Sequence, residues 1–214
     1  MAGRPAGPGG VAGDSYNDGR SAGAPDQRRA RGLRTRARLI QAMIDLIESG
    51  IPQPTTVQVA SRAGNAVRTI FDHFEDIDDL FCQAAELQAS RHRAVVGRIP
   101  PHGPVGNRIR ATSHQRRQHY EEVGPVLRVA YGRNPGSPGL GTVLANHRRV
   151  LRHHLSYTFG PELAARGPEA RFVLETVDLT TGWQNWNALR IDAGHSAVAA
   201  EEIVVFAVTA MLRC

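Results

Sequence analysis

From about residue 30 onward, apolar side chains recur at intervals of three and four, and Gly and Pro cut the pattern into segments of helical length. The breaks fall at Gly50-Ile51-Pro52, Pro100-Pro101, Gly124-Pro125, Gly132 to Gly141, Gly160-Pro161, Gly167-Pro168 and Asp192 to Gly194. In the first segment Ile40, Met43 or Ile44, and Ile47 form a stripe that Leu39 and Leu46 widen, and Gly50 sits where a C-terminal cap belongs. After Asp76, a residue suited to capping, the stripe resumes with Ile77, Leu80, Phe81, Ala84 and Leu87. Asp78 and Asp79 favour the positive end of that helix. Farther on, Phe172, Thr176, Leu179, Trp183, Trp186 and Arg190 keep the same spacing, which predicts one helix with Gly182 inside it. Glycine there costs about 1 kcal/mol relative to Ala, so a close helix approach is expected. Ile203 to Leu212 is apolar nearly all round. Its residue types would suit a buried strand, but no partner strand is visible, so it reads as a helix buried on most sides and a subunit interface. The fold class is all-α, with about nine helices.

Pro54 to Phe81 reads differently from its surroundings. Thr55 or Thr56 caps a short helix, and Thr55 with Gln58 has capping-box spacing. Val59, Ala60 and Ala63 give that helix a small apolar face that lets a second helix cross close by. Gly64 supplies the turn. A second helix follows from Val67 to Phe74, with Ile70, Phe71 and Phe74 available to pack inward and Arg68, Thr69, Asp72 and His73 pointing elsewhere. Two short helices joined by a Gly-containing turn are a helix-turn-helix.

This stretch resembles the N-terminal domain of the TetR/AcrR family of regulators. Thr55-Thr56-Val57, Val59-Ala60, Ala63-Gly64, Thr69-Ile70-Phe71, His73-Phe74 and Leu80 stand in register with the family pattern, and Arg34 to Ser49 stands where its first helix does. The close match covers about residues 34 to 87. Composition gives a disordered tail over 1–30; the resemblance implies a three-helix DNA-binding domain over 31–80 and an effector-binding and dimerisation body over 81–214. It implies a homodimer through the last two helices on a palindromic double-stranded operator, and a repressor released by a small molecule. The sequence shows no Walker loop, GxSxG, HExxH or paired Cys motif, so no cofactor and no enzymatic role are expected. The helix from Val67 would enter the major groove. Thr56 and Thr69 would meet phosphates, Arg68 would read a guanine, and Thr55, Val67, Asp72 and His73 would complete the contact face. Phe71 is open between DNA and packing. Three departures from the pattern stand out. Asn65-Ala66 replaces Val-Ser, so Asn65 would have to cap the second helix. Ile77 stands where many members carry Lys. Asp72, Glu75, Asp76, Asp78 and Asp79 place acid beside the DNA face, which weakens phosphate binding unless it is paired. These changes support an alternative: a helical small-molecule-binding protein whose helix-turn-helix no longer binds DNA.

Composition adds three points. Met1 to Asp26 is dominated by Gly, Ala, Pro, Ser and Asp and cannot bury enough surface to offset the entropy of ordering, so it reads as a tail. It has no apolar core of a secretory signal, and the longest apolar run falls far short of a membrane span, so a cytoplasmic location is expected. Net charge is +6, with every cationic side chain an Arg. Arg28, Arg29, Arg31, Arg34, Arg36 and Arg38 crowd the tail's end, as a flexible DNA-contacting arm (Arg36 nearest the helix-turn-helix) or as a solvated charge run. Cys82 and Cys214 do not form a disulfide framework.

In the body, Trp183 one turn before Asn187, together with Tyr120, Tyr131 and Tyr157, are the candidates to line an effector pocket, with ordinary core as the alternative; Trp186 reads as core. His147, His153 and His154, like His114 and His119, read as a polar helix face, since no carboxylate or thiolate lies at metal-ligand spacing.

Overall fold

The computed structural model describes residues 23–95 and 97–213. Most of the expected tail and Cys214 lie outside them. The described residues divide after Ala37 into two compact units. Among the described residues ten α-helices run in chain order: α1 Gly23–Glu48, α2 Thr56–Ala63, α3 Val67–Phe71, α4 Ile77–Val95, α5 Val105–Arg133, α6 Pro138–Thr158, α7 Gly160–Ala165, α8 Ala170–Thr180, α9 Trp183–Asn187 and α10 Ala197–Arg213. No strand occurs among the described residues, in agreement with the all-α reading. Nor is any described helix long and apolar enough to cross a membrane.

In the first unit, helix begins at Gly23, earlier than the tail boundary at residue 30. Gln, Arg and Ala, all good helix formers, dominate from Gln27 onward, and Asp26 sits in the first turn. The Arg run from Arg28 to Arg38 therefore lies on a helix and not on a flexible arm.

In the second unit, two apolar clusters hold the helices. The larger takes Leu39, Met43, Ile44 and Ile47 from the end of α1 and joins them to Val59, Ile70, Phe74, Leu80 and Phe81, then through α5 and α6 to Trp183 and Trp186. This core is continuous across residue 80. The smaller joins Ile109, Leu155, Phe159 and Val177 to Val204, Val208 and Leu212 of α10.

Three expectations are corrected. Gly124-Pro125 does not break α5. Buried Val123, Val126, Leu127 and Ala130 flank it, and a Cβ on Gly124 would lie 3.3 Å from the Trp183 ring, so the glycine serves close packing. Gly182 does break the Phe172-to-Arg190 helix. Its backbone is extended (φ −80°, ψ 165°), and α9 restarts from it before a π-helical turn over Ala188–Asp192. Finally, α10 is buried on one face only, through Ala200, Val204, Val208 and Leu212. Val198, Ile203 and Phe206 are exposed.

Candidate nucleic-acid interface and a cavity in the body

Local chemistry sets the helix-turn-helix. Gln58 N donates to Thr55 Oγ1 (3.3 Å) and Thr55 N donates to Gln58 Oε1 (2.9 Å), closing the capping box that starts α2. Gly64 ends α2 at φ 65°, a left-handed conformation that favours glycine. α3 then begins at Val67 without a side-chain cap. Asn65 does not take that role, because its Nδ2 is turned back to Ala63 O at 2.8 Å. The helix is also shorter than Val67 to Phe74. It stops at Phe71, since His73 N and Phe74 N both turn to Ile70 O while Phe74 tucks into the core at 4% exposure.

Ile70 is fully buried, Val67 is half-buried against the core, and the opposite face stands in solvent. The Arg68 side chain is 91% exposed. Its Nε lies 4.0 Å from Asp72 Oδ1, an exposed contact too weak to immobilise the guanidinium fork. Phe71 is exposed and packs on nothing that would bury it, while Thr69 and His73 are half-buried. Thr55 is exposed and Thr56 half-buried at the start of α2. Arg36 belongs to the first unit and is half-buried there.

Three of the five acids after α3 have internal work. Asp76 Oδ1 accepts from Asp79 N at 2.8 Å, as an N-terminal cap does. Asp79 accepts from Glu75 N (3.2 Å) and Gln83 Nε2 (2.7 Å). Asp78 pairs with Arg133 at the end of α5. Asp72 and Glu75 remain exposed. The structure thus answers part of the electrostatic objection raised by the sequence.

The second feature is a cavity of about 210 Å³ between α5, α6, α8 and the start of α9. Tyr120, Tyr131 and Trp183 line it; Asn187 and Tyr157 do not. Asn187 Oδ1 accepts from Arg128 Nε at 3.1 Å, and Tyr157 is exposed with the Arg98 guanidinium over its ring. Tyr120 meets Trp183 edge-on, with ring centroids 5.7 Å apart, and donates to Thr181 O at 3.2 Å. Burial pushes its phenol up to about 12, so it stays protonated at neutral pH. Trp186 is core, and its Nε1 donates to Glu121.

The histidine reading needs correction at two positions. His119 and His147 are buried, and their Nε2 atoms lie 2.7 Å apart. One imidazole donates to the other, and His147 forms part of the cavity wall. His114 is exposed beside Glu201, at 3.5 Å. Among the described residues no group of His, Cys, Asp or Glu could hold a metal ion.

The sequence did not mark Arg116 or Asp178 as cavity residues. Asp178 is nearly buried and accepts from Arg148 Nε (2.9 Å) and Arg152 Nη1 (3.3 Å). The same two arginines reach Glu175 at 2.7 and 2.6 Å.

No family model matches the chain, and no curated protein does. Solved structures do. A transcriptional regulator from Rhodococcus sp. Rha1 aligns at TM-score 0.66 and 21% identity, over 83% of this chain and 96% of its own. A TetR-family transcriptional regulator from Streptomyces coelicolor aligns at 0.67 and 18%, over 84% and 79%. A putative TetR-family regulator from Mesorhizobium loti aligns at 0.61 and 18%, over 86% and 97%. This chain therefore has the fold of TetR-family regulators.

Proposed function

We propose that this chain is a sequence-specific DNA-binding transcriptional regulator of the TetR type, a repressor released from its operator by a small molecule. The observation that carries the reading is the outer face of α3. Arg68, Phe71 and Asp72 stand in solvent on a helix whose other side is anchored by Ile70. A fold shared with TetR-family regulators presents it. In this reading α3 enters the major groove, Arg68 takes O6 and N7 of a guanine, and Thr56 and Thr69 meet phosphates. Residues 31–80 read DNA and residues 81–214 hold effector and partner.

The dimer forms through α8 and α10. Phe172 and Leu179 on α8, and Val198 and Phe206 on α10, are large apolar side chains that one copy leaves exposed. A two-fold pairing covers both sets and presents α3 twice, so the operator is palindromic. The protein works where the DNA is, in the cytoplasm.

The test is selection of bound DNA from a random pool, followed by footprinting. A palindrome is expected. Arg68→Ala should lose about 1–3 kcal/mol of discrimination at one base of each half-site while general DNA affinity falls less. Equal loss on selected and random DNA would refute the base-reading role. Absence of any enriched sequence would favour a ligand-binding protein whose helix-turn-helix is idle, the reading that exposed Asp72 and Glu75 support.

A further inference from the structure

We infer that the cavity between α5, α6 and α8 takes a small carboxylate with a flat apolar body, and that Arg116 holds its charge. The inference takes this cavity as the effector site of the regulator proposed above.

Arg116 lines the cavity and is only 4% exposed. One of its nitrogens, Nη2, donates to Leu151 O at 2.9 Å. Nε and Nη1 are buried with no partner. Desolvation lowers its pKa, but a guanidinium starts so high that it keeps its charge. The field of Asp178 reaches it, but that carboxylate is already bonded to Arg148 and Arg152. Arg148 and Arg152 pair off with Glu175 and Asp178, two cations against two anions, each bridge at 3.3 Å or less. Arg116 makes no ion pair of its own within the described residues. It also borders a void of about 10 Å³ beside Thr112 and His154, room for no more than about one water. A water can accept a hydrogen bond there but supplies no charge.

A buried, unmatched cation is costly unless something pairs it. A carboxylate on a ligand would do so, since the guanidinium fork matches its two oxygens. The rest of the cavity defines the rest of the ligand. Trp183, Tyr120, Tyr131 and Leu151 offer aromatic and aliphatic wall. The volume of about 210 Å³ is below the ~300–1,000 Å³ of sites for drug-sized molecules, so the ligand is small. A neutral molecule would leave Arg116 as it is, and an inorganic anion would leave the aromatic wall unused.

The test uses the full chain without DNA, titrated calorimetrically with benzoate, its neutral isostere benzamide, hexanoate and inorganic phosphate. Benzoate is expected to bind about ten-fold or more tightly than any of the other three. Arg116→Met should weaken benzoate by about ten-fold or more and leave benzamide unchanged. Without ligand that variant should melt at a higher temperature than the parent, because the unmatched charge is gone. Arg116→Gln serves as a second variant, and if neither folds, the benzoate-to-benzamide ratio on the parent chain decides. Equal binding of benzamide, tighter binding of hexanoate or phosphate, or no benzoate binding up to about 1 mM overturns the inference. Operator binding is scored separately by DNA selection. A chain with operators that ignores benzoate sinks the ligand class alone. A chain that takes benzoate and selects no operator keeps the site and sinks the regulator.

Discussion

Phe206→Asp should convert the dimer proposed above to single subunits. Phe206 lies on the outward face of α10, 78% exposed in one copy, while Val204, Val208 and Leu212 on the other face anchor the helix. Changing Phe206 therefore removes little packing inside a subunit. In a two-fold interface each Phe is buried once per subunit, and covering such a side chain is worth about 1.5–3 kcal/mol. Losing two amounts to roughly 3–6 kcal/mol, or about a 10²- to 10⁴-fold rise in the dissociation constant. The introduced carboxylates add desolvation and mutual repulsion in the same direction. Sedimentation over a concentration series reads the shift, and far-ultraviolet circular dichroism checks that helix content is kept. A variant that sediments as the parent does, or a parent that is already a single subunit, would refute the assignment of this face.

Three further outcomes follow from the geometry. Gly64→Ala should destabilise by about 1 kcal/mol, roughly 2–4 °C in melting temperature; nothing lies within 4 Å of the added Cβ, so the cost is left-handed backbone strain alone, and a shift above about 6 °C would point to another cause. Gly182→Ala should cost more, about 1–3 kcal/mol by thermal or urea unfolding, because its Cβ would sit 3.0 Å from the backbone oxygen of Asp178, and an unchanged midpoint would contradict this contact. Glu162, which accepts from Arg108 Nη1 at 2.8 Å, has its carboxyl held below the usual range by that hydrogen bond. A depressed acid contributes stability that is present above its unfolded value near ~4.3 and lost as pH falls through the folded one. Glu162→Gln should therefore flatten the acid limb of a stability-against-pH curve, and a limb of unchanged slope would assign the effect elsewhere.

The helix-turn-helix was legible because its information is local. Thr55 with Gln58, Gly64 and the Ile70–Phe74 spacing each act within one turn, so no distant partner had to be known. The break at Gly182 was not, because Trp183 and Trp186 return to the core in phase after it and preserve the four-three spacing. Gly124-Pro125 misled for the opposite reason. A dipeptide that usually interrupts helices is carried through by packing against Trp183, which lies far away in sequence. The cavity was half visible. Aromatic residues pointed to Tyr120, Tyr131 and Trp183, whereas His147 read as part of a polar helix face and Arg116 was not marked at all. Both fall in apolar stripes: Leu140, Leu144, His147, Leu151 and Leu155 on α6, and Ile109, Arg116, Tyr120, Val123 and Leu127 on α5. A polar residue in phase with such a stripe is the signal that would have found them.

α5 does two jobs within half a turn. Tyr131 faces the cavity, and Arg133, two residues later, grips Asp78 in the first turn of α4 and lies over the Phe81 ring, 5.0 Å from its centroid. That first turn follows α3 after the five residues Asp72 to Asp76. Any tilt of this end of α5 must therefore either drag the base of α4 along or tear a charged contact open. A rod clamped at one end and probed just short of the clamp behaves as a lever, and here its short arm rests beside the residues that would touch a base pair.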